Sequence, residues 1–384
     1  MSCVFYVFMS FDIGVKIKSV GGYLPDKILT NLDMEKLTDT TDEWIFQRTG
    51  ITKRHICEMK TSDMATSAAI DCLNPINQLK SNGVFVAQNI AESYKFDTKN
   101  FASYKYFDNE NNNKKNLHEI KNQDFVEYKN IDCLIVATTT PDLTFPSTAC
   151  IVQSKLKELG YSVGFAFDIQ AVCAGFVYGL SVANSFLKNK ICKNAIVVGA
   201  DKLSSILNWQ DRTTCVLFGD GAGAVLLESF DIKTNPQNKS NLLYETLHSD
   251  GSLMDILKTS SGVATNGQAG HIMMDGKDVF THAVNKMSES IFSIIKNSKL
   301  SKDDINFVIA HQANERILDG VAKKLEMTKT NFIKTVGIHA NTSSASIPLA
   351  LNHCLNNNLI KRGDNIIFEA LGGGLVWGGI LCKG

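Results

Sequence analysis

The sequence predicts an α/β fold built from two similar halves, and two observations carry that expectation. Short apolar runs such as IDCLIVA (Ile131–Ala137) and NAIVVG (Asn194–Gly199) alternate with helical stretches. This is the pattern of parallel strands covered by helices. Three stretches of the first part also recur in order in the second. DCLIVA at Asp132 matches NFVIAH at Asn306, FDIQAVCAGFVYGL at Phe167 matches IKTVGIHANTSSASIPLAL at Ile333, and NAIVVGA at Asn194 matches NIIFEAL at Asn365. Each pair is separated by about 170 residues. Two halves of this kind should pack with their buried helices back to back and share a site at the junction.

The elements follow in order. Met1–Phe11 is apolar but has no basic leader and is too short to span a bilayer, so residues 1–14 read as an N-terminal extension, with Met9 as an alternative start. The core begins near Val15, where KIKSVGGYLPD gives a strand and a Gly/Pro turn. Asn31–Gln47 carries a helical pattern, and Ser62–Leu73 a second one, with Thr61 or Ser62 as its N-cap. From Asn74 to Asn130 the character changes: twelve Asn and weak hydrophobic periodicity mark roughly 75–127 as a surface insertion. Ile131–Ala137 is then a buried strand, Pro146–Leu159 a helix, and Gly164–Ile169 a strand running into the helix of AVCAGFVYGLSVANSFLKN. Two short strands are expected around GDGAGA, within Val216–Leu227. The halves divide as 15–230 and 231–384.

Composition narrows the function. Lys+Arg and Asp+Glu are both 39, so no basic field points to nucleic acid. No apolar run is long enough to cross a membrane, and the chain reads as cytoplasmic. The ten cysteines form no C-x-x-C pair and no Cys/His cluster with zinc spacing. They read as reduced thiols, mostly in the core.

Cys173 stands apart because it lies where a strand turns into a helix rich in small residues (Ala171, Ala174, Gly175, Gly179). A helix N-terminus there favours thiolate, the competent nucleophile. His311 ends the strand of the second half, and Asn341 sits at the duplicate of the Cys173 position, before TSSASIPLAL. Each has a plainer alternative taken alone: a core cysteine, a structural histidine, a helix cap. All three at strand exits of one duplicated frame form a candidate Cys-His-Asn site. The Gly372–Gly374 run is either a tight turn or, with the Cys173 amide, an oxyanion hole. GDGAGA lacks G-x-G-x-x-G spacing and precedes a strand, against dinucleotide binding.

Six motifs taken together, DEWIFQRTGI at Asp42, FPSTAC at Phe145, AVCAGF at Ala171, DRTTCVLFGDGAGA at Asp211, HQANERI at His311 and GGGLVWG at Gly372, resemble the β-ketoacyl-acyl-carrier-protein synthase III family of the thiolase superfamily. The resemblance implies a five-layered α-β-α-β-α fold, with buried helices between two mixed sheets. It implies decarboxylative condensation of a short acyl-coenzyme A, acetyl first among them, with malonyl-carrier protein, by a homodimer and without cofactor. It assigns Cys173, His311 and Asn341 to catalysis, and the amides of Cys173 and Gly373 to the oxyanion hole. Trp44 and Arg212 would sandwich the adenine of coenzyme A, and Arg48 would meet its phosphates. Gln312, Arg316, Lys323 and Lys324 would dock the carrier protein, and Phe145 would cross the dimer interface into the partner's acyl pocket. Two positions depart from the family pattern: Ala340 stands where glycine is usual, and Thr281 where a basic residue is. A degradative thiolase would want a second cysteine in a motif that Cys382 lacks. A hydroxymethylglutaryl-type synthase would want a carboxylate base that has no match here.

Overall fold

The computed structural model describes residues 12–73, 128–235 and 242–384. The insertion expected at 75–127 and residues 1–11 of the extension lie outside the described residues. The strands are β1 (Ile13–Tyr23), β2 (Ile28–Thr30), β3 (Lys53–His55), β4 (Asn130–Ala137), β5 (Ser162–Ile169), β6 (Asn194–Lys202), β7 (Asp220–Asp231), β8 (Leu242–Ser249), β9 (Leu257–Thr259), β10 (Ile272–Met274), β11 (Phe307–Ala310), β12 (Asn365–Gly372) and β13 (Val376–Lys383). β1 thus starts two residues before Val15, with Ile13 and Gly14 paired to Asp231 and Phe230 of β7.

Two mixed sheets carry the fold, in the orders β1-β7-β6-β4-β5 and β11-β12-β13-β8. Their patterns superpose. In the first, β5, β4 and β6 are parallel and β7 and β1 antiparallel. In the second, β11 and β12 are parallel and β13 and β8 antiparallel. The counterpart of β5 shrinks to a single parallel bridge between Val308 and Phe332.

Strand periodicity builds the layers, because successive side chains point to opposite faces. In β4, Cys133 and Ile135 face the centre, whereas Leu134 and Val136 face outward onto the helices Thr61–Leu73 and Thr148–Glu158. In β12, Ile366 and Phe368 face the centre, and Ile367 faces the helices Gly276–Asn297 and Glu315–Lys324. Between the sheets lie two buried helices, Gly175–Lys188 and Ser346–Asn356. The result is helix, sheet, helix pair, sheet, helix, as expected. The first buried helix covers Phe176, Val177, Leu180 and Leu187, each contributing about 1.5–3 kcal/mol on burial.

Several local readings change. Asn31–Gln47 is not one helix but two, Asn31–Met34 and Asp42–Thr49, each opened by a threonine cap, Thr30 and Thr41. The helix Thr61–Leu73 receives its cap from another segment: Asp142 accepts from the Ser62 amide (3.0 Å) and hydroxyl (2.6 Å). GDGAGA does not separate two strands; most of it lies inside the single strand β7. A Cβ on Gly223 would stand 2.8 Å from Pro348 of the second buried helix, so the glycine lets that helix lie close.

Candidate active site

Cys173 does not open an α-helix directly. It is the middle residue of a 3-10 turn, Val172–Ala174, which runs into the helix Gly175–Lys188. Val172 begins the turn at φ +48°, a left-handed conformation unusual for a β-branched residue. The second half repeats the device: Ser343 stands at φ +50° and begins the turn Ser343–Ala345, which leads into Ser346–Asn356. The structural mate of Cys173 is therefore Ser344, and Asn341 sits three residues earlier than a strict duplicate of the cysteine. Each turn rests on a glycine of the opposite half. A Cβ on Gly372 would lie 2.7 Å from the Cys173 amide nitrogen, and one on Gly199 would lie 2.3 Å from the Ser344 carbonyl oxygen.

Cys173 is 6% exposed. Burial pushes its thiol up to about 12; the Ser343 hydroxyl pulls it back and the Asp201 carboxylate adds to the rise. The thiolate expected from the helix N-terminus is thus outweighed by desolvation and the nearby Asp201 carboxylate. Asp201 accepts from the Ser344 hydroxyl (2.6 Å) and amide (3.1 Å) and from the Thr139 amide (2.7 Å), which ties the two halves together behind the cysteine.

His311 follows β11 and extends its ladder, its amide donating to the Glu369 carbonyl at 2.8 Å. Its Nδ1 lies 2.7 Å from the Ser346 hydroxyl. Burial lowers its pKa to about 3, so the ring is neutral. Asn341 is held at both backbone ends: its amide donates to the Leu217 carbonyl (3.0 Å), and its carbonyl accepts from the Gly219 amide (2.9 Å). Arg54, fully buried, braces that segment by donating to the Val216 carbonyl at 2.9 Å. The Asn341 Oδ1 accepts from the Ser343 amide at 2.9 Å. A backbone N–H can only donate, so the oxygen belongs on that side and Nδ2 is left to donate elsewhere.

Cys173, His311, Asn341 and Gly373 line one cavity of about 1210 Å³, together with Trp44, Arg48 and Arg316. Trp44 is stacked by two guanidinium groups, Arg48 at 4.4 Å and Arg212 at 5.2 Å from the ring centre. Arg212 also donates to the Asp39 carbonyl at 2.9 Å, and a base can enter between it and Trp44 only if Arg212 swings out. Arg316 sits over the Phe280 ring at 5.8 Å; Lys323 and Lys324 are exposed at the far end of the same helix, outside the cavity lining. Thr281 bonds the Lys277 carbonyl at 3.0 Å.

Gln312 is a correction. Its side chain is fully buried, donates to the Ala310 and Ile333 carbonyls, and accepts from the Thr335 and Val336 amides. It clamps the segment before Asn341 and offers nothing to a docking partner. Phe145 lies outside the cavity lining and is 83% exposed. Sequence reasoning missed Ser343, Ser346, Arg54 and Asp201. The signal for the serines was present in ANTSSAS, where hydroxyls cluster just before a buried helix.

Two family models match the chain: 3-oxoacyl-[acyl-carrier-protein (ACP)] synthase III over residues 167–251, and the C-terminal model of the same family over 295–383. A β-ketoacyl-[acyl-carrier-protein] synthase III of Ehrlichia canis (strain Jake) is 43% identical over 369 residues, covering 96% of this chain and 98% of the relative. One of Wolbachia pipientis wMel is 41% identical over 368 residues, covering 95% and 98%. Among solved structures, 3-oxoacyl-[acyl-carrier-protein] synthase III from Aquifex aeolicus VF5 matches with TM-score 0.76 at 37% identity, covering 97% of this chain and all of that one, 100%. The enzyme from Pseudomonas aeruginosa PAO1 matches with TM-score 0.75 at 30% identity, covering 96% and 98%.

Proposed function

The chain belongs to the 3-oxoacyl-[acyl-carrier-protein] synthase III family, and on that premise we propose that it joins a short acyl group, acetyl foremost, to malonyl-carrier protein in the first condensation of fatty-acid synthesis. The observation that carries this reading is the convergence of Cys173, His311, Asn341 and Gly373 on one cavity from two halves of the chain.

Cys173, once deprotonated, attacks the acyl-coenzyme A carbonyl. The amides of Cys173 and Gly373 hold the tetrahedral oxyanion, and coenzyme A leaves as its thiol, taking up the proton that the cysteine released. Malonyl-carrier protein then enters and loses carbon dioxide. The electron pair of the broken C–C bond becomes an enolate. Two N–H groups, one on the neutral His311 ring and one on Asn341 Nδ2, bond the oxygen where that charge develops. The enolate carbon attacks the acyl-cysteine, the sulfur leaves, and 3-oxoacyl-carrier protein is released. A neutral imidazole suits this task, because it donates without having to take up a proton.

Trp44 and Arg48 at the cavity, with Arg212 on the same indole, mark the coenzyme A end: adenine would slip between Trp44 and Arg212, and Arg48 would meet the phosphates. Arg316, Lys323 and Lys324 present positive charge on one helix for an acidic carrier protein. Among the described residues β5 is an edge strand of the first sheet and exposes Phe165; the segment holding Phe145 is tied to it, Asp168 accepting from the Thr148 amide at 2.7 Å. An apolar edge of this kind fits a second copy of the chain. No helix among the described residues is long and apolar enough to cross a membrane.

The test separates the half-reactions. Cys173→Ala should abolish labelling by radioactive acetyl-coenzyme A. His311→Ala and Asn341→Ala should label normally yet fail to release carbon dioxide from malonyl-carrier protein. Normal labelling of the Cys173→Ala protein would end the reading.

A further inference from the structure

His311 can donate to the substrate only from the nitrogen that faces away from Ser346, so its tautomer decides whether the site works. Ser346 opens the second buried helix and is 2% exposed. Its hydroxyl oxygen has two partners among the described residues, the Gln312 amide at 3.3 Å and His311 Nδ1 at 2.7 Å. The amide can only donate, and it takes one lone pair of the oxygen. The hydroxyl proton then has a single acceptor within reach, the Nδ1 lone pair. In the opposite arrangement, Nδ1–H pointing at the hydroxyl, the serine proton would be buried without a partner, which folded proteins avoid. The Ser343 carbonyl also approaches the ring; the Ser346 amide takes one of its two lone pairs, and the other makes it the competing acceptor for a proton on Nδ1.

We propose that Ser346 is a positioning residue that fixes the proton of His311 on Nε2, through a directed chain from the Gln312 amide to the serine hydroxyl to Nδ1. The arrangement parallels that at Asn341, where the Ser343 amide takes Oδ1 and frees Nδ2 as a donor. One backbone amide at each position thus sets the polarity of one substrate-facing group, and both are set as donors. A ring that carries its proton on Nε2 cannot accept the Cys173 proton at that nitrogen, so the same device separates His311 from deprotonation of the thiol.

The inference deepens the condensing reading and rests on it for its kinetic arm. The test uses full-length protein labelled with [15N]histidine, with long-range proton–nitrogen correlation at neutral pH and His311 assigned by its loss in His311→Gln. The wild type should show a protonated Nε2 and a bare Nδ1. Ser346→Ala should show a mixture or the reverse, and carbon dioxide release from malonyl-carrier protein should fall about 10- to 100-fold while acetyl labelling of Cys173 keeps its rate. Ser346→Thr, which keeps the hydroxyl, should restore both the spectrum and the release. A wild-type proton on Nδ1, bonded to the Ser343 carbonyl, would overturn the proposal. So would a Ser346→Ala protein that keeps the Nε2 proton and full release. If Ser346→Ala does not fold, the wild-type spectrum still decides. A wild type with the Nε2 proton but no malonyl-dependent carbon dioxide would defeat the condensing reading and leave the tautomer assignment standing.

Discussion

Ala340 immediately precedes Asn341 and holds φ +58°, ψ −162°, a region that only glycine occupies without strain. Its amide donates to the Val336 carbonyl at 2.9 Å, and the Leu217 and Gly219 bonds to Asn341 hold the following peptide, so the backbone has no room to relax. Ala340→Gly should release about 1–3 kcal/mol of strain and lose about 0.4–1 kcal/mol through a freer unfolded chain. The expected net gain is about 1 kcal/mol in urea unfolding, with condensation retained. Protonation at the neighbouring reactive groups gives a second expectation. The Cys173 thiol, held at about 12 by burial, has a thiolate fraction that grows about tenfold per pH unit in the working range. His311, held at about 3, is neutral throughout that range. Acylation measured alone should therefore climb from about pH 6 to pH 9, while decarboxylation by pre-acylated enzyme stays level from about pH 5.5 to pH 8. A decarboxylation profile falling below an apparent pKa near that of free histidine would show imidazolium forming and contradict the burial of the ring.

The two 3-10 turns and the glycines beneath them form the element on which the site depends. Gly372→Ala drives a methyl into the Cys173 amide, and Gly199→Ala drives one into the Ser344 carbonyl. Each should cost about 1–3 kcal/mol of stability from overpacking. The activity losses should differ in kind. Gly372→Ala should reduce acylation about 100-fold by moving the oxyanion donor, whereas Gly199→Ala should act mainly on decarboxylation through the turn after Asn341. Much at this scale is legible in the sequence. Strands β4, β6, β11 and β12 showed as apolar runs, and their spacing exposed the duplication. Cys173, His311 and Asn341 showed as polar residues at strand exits. The registry of the duplicate was not legible, because a 3-10 turn entered at positive φ has no signature in hydrophobic period; hence Ser344, not Asn341, is the mate of the cysteine. Gln312 deceived for a related reason. It follows a candidate catalytic histidine in the sequence, yet its amide is consumed by four backbone partners that only tertiary structure brings near. GDGAGA read as a break between strands because glycine usually weakens them; here it thins β7 to admit Pro348.

At the scale of the whole molecule, the cavity exists only where the halves meet, with Cys173 from one and His311, Asn341 and Gly373 from the other. The proposed pairing of two chains along β5 should seal its acyl end. Phe145, 83% exposed in the single chain, is the side chain to change. Phe145→Asp should shift sedimentation from dimer to monomer and cut acylation, while leaving the circular dichroism of the fold intact; an unaltered dimer would place the interface elsewhere. The matched turns also limit what the backbone symmetry can yield. Ser344 occupies the sulfur's position in the mirror half, but its hydroxyl is engaged by Asp201 and by the Ala137 carbonyl at 2.9 Å. A thiol installed there would look into a sealed interior, against the Asp201 carboxyl, that no acyl donor can enter. The second copy of the frame thus serves as an anvil for the first rather than as a second point of attachment.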